Sequence, residues 1–204
     1  MRKTLHIVIT LVTLLCVWGV SGVFAQSGTG RPFITKWKGE AGKELKIPIV
    51  GTYKMVIKDG SGNEKVNATV TVEDAAHPYL FTPTEDGTYT VVAGPEGVKC
   101  MKIEQVWDVD GWIPAGSSEA LLEVVQFGTV KWESMEEMFK WCNNMTFAAG
   151  IDTPDLSHVT NMNRMFEGCS AFNQPLNNWN VSNVTGMGEM FENCSAFNQP
   201  LGNW

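Results

Sequence analysis

Three cysteines recur at the same place in the second half of the sequence. Cys142, Cys169 and Cys194 each lie three residues after the phenylalanine of a Met-Phe pair. Cysteines bind zinc, or pair as disulfides outside the cytoplasm, when further ligands or a second cysteine lie close by. No histidine or second cysteine adjoins any of the three. We therefore interpret them as small buried side chains of a core and predict no metal site, while a disulfide between neighbouring units stays open.

Two other patterns suggest chemistry, but their spacing does not fit it. The run from Asp108 to Gly111 resembles the start of a calcium loop, but the acid that should close a twelve-residue loop falls at Glu119 and the residues between do not fit. His77 and His158 are isolated, so they form no nucleophile and base constellation. No pair of acids stands out from the acidic surface. The sequence predicts no enzyme, no cofactor and no catalytic or metal-binding residue.

The first 25 residues have the composition of a secretory signal peptide. Arg2 and Lys3 precede an apolar run from Leu5 to Val20, and Val23-Phe24-Ala25 supplies small side chains before a predicted cut ahead of Gln26. The alternative is a membrane anchor, which needs roughly 20 apolar residues. Polar residues and a glycine interrupt this run, so we predict that the segment is cleaved.

The charge balance limits the partners. The chain of 204 residues has 22 acidic and 15 basic side chains and a formal charge of -7. Nucleic-acid binding needs clustered lysine and arginine, so this balance argues against such a partner. No second long apolar run follows the first. The sequence therefore predicts a secreted or cell-surface protein with no membrane span after signal cleavage.

A 25-residue repeat organises the C-terminal half. When residues 155–179 are laid over residues 180–204, 17 of the 25 pairs are identical. A more diverged unit that begins near Trp132 aligns its methionine, phenylalanine and cysteine residues with the same positions. Repeats of this kind indicate units that stack and share one core. Trp204 is in phase with Trp179, so we expect the array to stop inside a repeat, as part of a longer natural product or of a truncated reading frame.

Each unit predicts one short helix and one short strand. Apolar residues fall at offsets 0, 3, 6, 7 and 10 from Trp132, Val159 and Val184, and this spacing places them on one face of an α-helix. The segment from Leu176 to Val181 predicts an extended stretch between helices. One strand and one helix per 25 residues predict a leucine-rich-repeat solenoid over residues 102–204.

The region before the repeats has a different pattern of apolar and turn residues. After a linker at residues 26–31, residues 32–101 contain short strand-like runs that are separated by turn clusters such as Asp59 to Asn63. Several short strands at this spacing predict a small antiparallel β-sandwich. The fold class predicted for the whole chain is therefore α+β, a sandwich followed by a solenoid.

The repeat motif resembles a known family. Met-Phe-x-x-Cys-Ser-Ala-Phe-Asn-Gln-Pro-Leu-x-x-Trp, together with Val-Ser-x-Val-Thr at Val181 to Thr185, is similar to the BspA-like leucine-rich-repeat surface proteins of bacteria. Gly87 to Val91 is similar to the last strand of PKD and other immunoglobulin-like modules. The first resemblance implies a secreted or surface protein that acts in adhesion, with partners that differ among members. It implies no catalytic residues.

These observations lead to one main functional hypothesis. We expect an adhesin-like interaction protein that binds a protein or glycan through the repeat surface. In a stacked array, residues of equal phase form columns, so we predict Asp155, Ser157, Asn180 and Ser182 as ligand-facing residues. The alternatives are an accessory part of an extracellular hydrolase and a structural spacer.

Overall fold

The computed structural model describes residues 30–103, 105–108, 111–114 and 118–204, without the side chains of 105–108 and 111–114. The predicted signal peptide and most of the predicted linker lie outside the described residues. So does the centre of the calcium-like run at residues 109–110. The strands are β1 (Phe33–Gly39), β2 (Leu45–Ile47), β3 (Ile49–Lys58), β4 (Glu64–Val72), β5 (Tyr79–Phe81), β6 (Gly87–Ala93), β7 (Val98–Met101), β8 (Gln105–Asp108), β9 (Gly111–Pro114), β10 (Leu121–Gln126) and β11 (Thr146–Phe147).

One seven-stranded sheet contains five strands from residues 33–101 and two later strands, β10 and β11. Its strand order is β11-β10-β1-β6-β3-β4, and β7 pairs with β3. All pairs are antiparallel except β10 with β11, which are parallel. Alternate side chains of β1, β3 and β6 point into the main core, including Phe33, Tyr53, Met55, Tyr89 and Val91, as the period of two in a strand requires.

A two-stranded sheet of β2 and β5 packs on this core. Leu45 and Ile47 of β2 are buried in it, and the ring of Phe81 in β5 meets Tyr89 of β6 edge-on, with ring centroids 5.2 Å apart. The predicted sandwich of antiparallel sheets is therefore replaced by one large mixed sheet with a small second layer. Strands β2 to β6 overlap the strand-like runs of the sequence, whereas β1 and β7 were not predicted.

The predicted helices of the repeats do not form. Between residues 118 and 204, the described chain contains one 3-10 turn, Ser118–Ala120, and no α-helix. The predicted strand at Leu176 to Val181 is also absent, and strand pairing between units is limited to isolated bridges, such as that of Lys131 with Asp155. The predicted α+β class and the strand-plus-helix solenoid are therefore wrong. The described protein is almost entirely β-strand and turn.

Successive tight turns replace each predicted helix. In the unit that starts at residue 155, the N–H groups of Met165, Glu167 and Cys169 each donate to the carbonyl three residues earlier. The backbone has a positive φ at Arg164 (56°) and Gly168 (73°), which an α-helix does not allow. The same two phases have positive φ in the other units, at Glu137, Trp141, Glu189 and Asn193.

Alternate N–H groups in these turns point to the next unit. We call residues 128–154, 155–179 and 180–204 units 1, 2 and 3. Met162, Arg164, Phe166 and Gly168 of unit 2 donate to carbonyls of unit 3 over 2.7 to 3.0 Å. Unit 1 donates to unit 2 in the same way. Hydrogen bonds between units therefore hold the backbone where helical bonds were predicted.

The apolar residues that predicted the helix are buried as expected. Met135, Met138, Phe139 and Cys142 of unit 1 have no exposed surface, and neither have Met162, Met165, Phe166 and Cys169 of unit 2. A single apolar core contains both these side chains and those of β1, β3 and β6. The sheet and the repeats are thus packed on one another through β10, which pairs with both β1 and β11.

Candidate functional site

The four predicted ligand-facing residues lie in two equivalent turns. In unit 2, Oδ1 of Asp155 accepts the backbone N–H of Ser157 at 3.0 Å. In unit 3, Oδ1 of Asn180 accepts the N–H of Ser182 at 3.2 Å. Aspartate and asparagine stabilise turns in this way because their short side chains reach the backbone two residues later. We call these four residues the polar columns.

No helix follows Ser157 or Ser182, so neither serine caps one. Instead, the backbone N–H of each serine donates to the side-chain oxygen of the residue two positions earlier. This role explains why unit 2 has aspartate where unit 3 has asparagine, since both side chains offer the oxygen that the turn needs. The two turns are therefore alike in backbone and differ in charge.

In unit 2, the carboxylate of Asp155 interacts with two neighbouring residues. Hydrogen bonds from the side chain and then from the backbone N–H of Ser157 lower the pKa of Asp155. Nζ of Lys131 lies 4.0 Å from Oδ2 of the same carboxylate. Asp155 is therefore ionised at neutral pH and already bound by two neighbours.

In unit 3, the side-chain amide of Asn180 has fewer contacts. Asn180 and Ser182 are exposed, and within the described residues neither the Nδ2 of Asn180 nor the hydroxyl of Ser182 has a hydrogen-bond partner. An exposed amide donor next to a hydroxyl suits a polar ligand such as a sugar or a peptide backbone. Of the polar columns, Asn180 and Ser182 of unit 3 are therefore the residues with groups free to bind a ligand.

The two turns are fixed relative to each other by bonds between the units. Nδ2 of Asn183 donates to the carbonyl of Ser157 at 2.9 Å, and the N–H of Thr185 donates to the carbonyl of Thr160 at the same distance. The hydroxyl of Thr185 donates to that carbonyl as well, at 3.3 Å. The surface around the polar columns is consequently preorganised, which lowers the entropy cost of binding.

A second cluster was not predicted from the sequence. Glu137, Arg164 and Glu189 occupy one phase in successive units, and the guanidinium of Arg164 pairs with both carboxylates. The hydrogen bond and charge of Arg164 lower the pKa of Glu189. The alternation of acid, base and acid at this position of successive units is visible in the sequence. If the units were helical, these side chains would lie on the solvent-exposed face of the helix. We call these three residues the charge column.

A buried lysine supports the charge column. Lys140 is 3% exposed, and its Nζ lies 3.0 Å from Oε2 of Glu167 and 3.3 Å from Oε1 of Glu137. A buried ammonium is stable only when such partners compensate for lost hydration. The cluster is therefore a structural ion-pair network that ties units 1 and 2 together.

One acidic group in this network has the spacing of a metal site. Carboxylate oxygens of Glu167, Glu189 and Glu192 lie within 4.8 Å of one another. Arg164 and Lys140 already neutralise two of these acids. Ion pairing therefore accounts for Glu167 and Glu189 but not for Glu192, which has no ion pair among the described residues.

The repeated cysteines occupy the core, as predicted. Cys142 and Cys169 have no exposed surface and Cys194 is 9% exposed, and all three are free thiols. The thiol of Cys169 donates to the carbonyl of Phe139 at 2.8 Å, and that of Cys194 donates to Phe166 at 2.7 Å. Burial raises the pKa of Cys169 to about 12. These thiols are protonated and bonded to the preceding unit.

Comparisons with known proteins cover the repeat half of the chain. Among the described residues, no helix is long and apolar enough to cross a membrane. No curated protein and no solved structure matches the chain significantly. Residues 116–204 match a family described as "Mycoplasma protein of unknown function, DUF285". The match includes the polar columns and the charge column, so both lie in the part of this chain that is similar to that family.

Proposed function

We propose that this protein is a secreted or cell-surface interaction protein, adhesin-like, that binds a protein or glycan through the polar columns. The available amide and hydroxyl of Asn180 and Ser182 are the observation that carries the proposal. They form a shallow polar surface, which suits hydrogen bonding better than apolar burial. The signal-like N-terminus supports export, and the resemblance of the repeats to BspA-like surface proteins supports a role in adhesion.

The test uses one substitution that keeps the turn and changes the ligand-facing group. Asn180→Asp retains the oxygen that accepts the Ser182 N–H but removes the amide donor and makes unit 3 resemble unit 2. The wild-type chain is first applied to a glycan array and to a panel of immobilised extracellular-matrix proteins. For the ligand found, we expect the variant to bind about tenfold more weakly, because a lost hydrogen bond costs about 1 kcal/mol or somewhat more.

Asn177→Asp is the matched control. Asn177 is exposed and lies outside the polar columns, and its backbone carbonyl accepts a bond from Asn203. The control introduces the same charge, so it should leave affinity within about twofold because surface charges act weakly at a distance. Equal losses in both variants would remove the polar columns from the proposal. A wild-type chain that binds nothing on either panel would favour the spacer.

A further inference from the structure

The seven-stranded sheet has a long strand at the edge away from the repeats. β4 has nine residues and is the last strand of the order beyond β3, whereas the opposite edge is β11, which has two. β10 and β11, which join the sheet to the repeats, lie at that opposite edge. The stack of units therefore starts at the far side of the sheet from β4, however many units it contains.

The backbone groups of β4 alternate between β3 and the outer edge of the sheet. The carbonyl of Lys54 in β3 accepts the N–H of Gly94, directly after β6, so the backbone of the next residue, Met55, points the other way, to β4. Met55 lies opposite Ala68, and the residues of such a pair exchange both hydrogen bonds. Every second residue of β4, counted from Ala68, therefore bonds to β3. The residues whose backbone groups point outward are Asn67, Thr69 and Thr71.

These outward groups have no partner in the described part of the chain. The backbone N–H and carbonyl groups of Asn67, Thr69 and Thr71 make no hydrogen bond there, and all three residues are exposed. β4 contains no proline or glycine, and its pairing with β3 is regular from Val66 to Val72. An edge strand of this kind is a template on which another strand can pair.

One antiparallel register brings the outward groups of two copies together. When Thr69 lies opposite Thr69 of a second copy, Asn67 of each copy lies opposite Thr71 of the other. The residues of each pair can then exchange both hydrogen bonds, which satisfies the open edge of both strands. The arrangement is symmetric about Thr69, as a two-fold dimer requires.

The side chains also match in this register. Apolar residues face apolar residues of the other copy, in the pairs Val66 with Val72 and Ala68 with Val70. A shift by two residues in either direction would place an acid opposite a valine, namely Glu64 in one direction and Asp74 in the other. Cross-strand pairs of unlike polarity lose the contacts that stabilise a sheet, so the sequence of β4 selects the register centred on Thr69.

Charge supports the same register at the ends of the paired segment. Lys65 of each copy lies opposite Glu73 of the other, and Glu73 is an exposed residue directly after β4. The ammonium of Lys65 is 3.0 Å from the carboxylate of Asp59 in its own chain. An ammonium has three donors, so it can face both acids. Opposite charges at facing positions stabilise a strand pair.

We propose that the protein forms a two-fold dimer in which β4 pairs antiparallel with β4 of a second copy, centred on Thr69. The strand order then continues from one copy into the other, and the repeats of the two copies lie at its two far edges. The interface is one strand edge from each copy, so we expect a weak dimer whose fraction rises with concentration. It is separate from the polar columns and does not depend on their function.

Sedimentation velocity of the mature chain, without the signal peptide, over a range of concentrations tests the association. Thr69→Pro removes an N–H that points to the open edge and leaves the bonds to β3 intact, so this variant should be monomeric at every concentration. Glu73→Lys places like charges opposite Lys65 at both ends and should weaken the dimer about fivefold. The double variant Lys65→Glu and Glu73→Lys restores opposite charges and should recover most of the association.

A cross-link identifies the register. Thr69→Cys places two thiols on facing residues with Cα atoms about 5.5 Å apart, within the range of a disulfide, so oxidised glutathione should convert this variant to a covalent dimer on a non-reducing gel. Thr71→Cys is the matched control, because it has the same strand and face but lies opposite Asn67. It should stay uncross-linked, as should the wild-type chain.

Three outcomes would overturn the proposal. The first is a chain that remains monomeric at all concentrations. The second is association that persists unchanged in both Thr69→Pro and Glu73→Lys, which would place the interface elsewhere. The third is cross-linking of Thr71→Cys as efficient as that of Thr69→Cys, which would exclude the register centred on Thr69.

Discussion

At the residue scale, the three repeated cysteines are buried in similar surroundings because they occupy the same position in successive units. Cys142, Cys169 and Cys194 are buried by the same Met and Phe neighbours and follow one another from unit to unit. Desolvation raises the pKa of each thiol above its ordinary value of 9.0. Folding therefore favours the protonated form, and stability becomes dependent on pH in the alkaline range.

The sign of that dependence gives a prediction. The unfolded thiol ionises at a lower pH than the folded one, so the stabilisation is complete below about pH 8.5 and is lost as pH rises toward the folded pKa, about 12 for Cys169. We expect Cys169 to lower the free energy of unfolding by about 1 kcal/mol between pH 9 and 10. Urea titrations at pH 7, 8, 9 and 10 measure it.

Cys169→Ala isolates the contribution of one thiol. Other groups also titrate in this range, and burial raises the pKa of Tyr53 as well. The variant keeps those groups, so only its shallower decline above pH 9 is attributable to Cys169. Parallel curves for the two proteins would show that this thiol has an ordinary pKa in the folded state.

At the scale of elements, the tight turns depend on a backbone shape that most residues avoid. Gly168 has φ of 73°, and a Cβ at this position would lie 2.9 Å from the ring of Trp141 in the unit before. We expect Gly168→Ala to lower the free energy of unfolding by about 1–3 kcal/mol, because both the φ angle and the packing become strained. Chemical denaturation of the purified variant measures this loss.

Gly202 is the control for this substitution. It lies in unit 3, and a Cβ added there would have no atom within 4 Å, so Gly202→Ala should change stability by less than about 0.5 kcal/mol. A similar loss in both variants would mean that glycine-to-alanine changes destabilise the repeats generally. The close approach of Trp141 would then have no special part in the stacking.

The same turns explain why the sequence predicted helices. The spacing of Val159, Met162, Met165 and Phe166 fits one face of a helix, and these side chains are indeed buried together. That spacing shows which residues face the core. It does not show which carbonyl accepts the hydrogen bond of each backbone N–H. Acceptors in the next unit compete with the carbonyl four residues back, and a single-unit pattern contains no information about them. Gly186 and Gly188, inside the predicted helix of unit 3, were the available warning, because glycine destabilises a helix interior.

Parts of the candidate site were predictable because they depend on the repeat period and not on the local backbone. The polar columns follow directly from the 25-residue phase, which needs no knowledge of the local backbone. The engagement of Asp155 by Lys131 and Ser157 was not predictable, because it depends on how far unit 1 approaches unit 2. Strands β2 to β6 were predictable because the turn residues between them act locally, whereas β1 and β7 were missed.

At the scale of the whole molecule, aromatic side chains join the sheet to the repeats. Phe127 follows β10 directly, and its ring packs against Phe33 of β1, Phe147 of β11 and Trp179 of unit 2, with centroids 5.5 to 6.3 Å apart. It has no exposed surface. The boundary predicted at residues 101 and 102 stays a prediction, but this cluster packs the chain on its two sides together.

We therefore expect Phe127→Ala to weaken both halves at once. Removal of a buried phenylalanine ring costs about 3–5 kcal/mol, and hydrogen exchange should accelerate in β1 and β6 as well as in units 1 and 2. Phe197→Ala is the comparison, because Phe197 is half-buried and lies in unit 3. Its effect should be confined to units 2 and 3. Acceleration in the repeats alone for both variants would show that the sheet folds without the array.

The bonds between units also determine how the array responds to tension. They lie along the stacking direction, so a pull on the chain beyond unit 3 loads the outermost row of bonds before any other. Units 2 and 3 each release 25 residues when they peel away, which lengthens the chain by about 80–90 Å per unit. A protein anchored at one end and held at the other would extend in steps and dissipate mechanical work, while the sheet stayed folded.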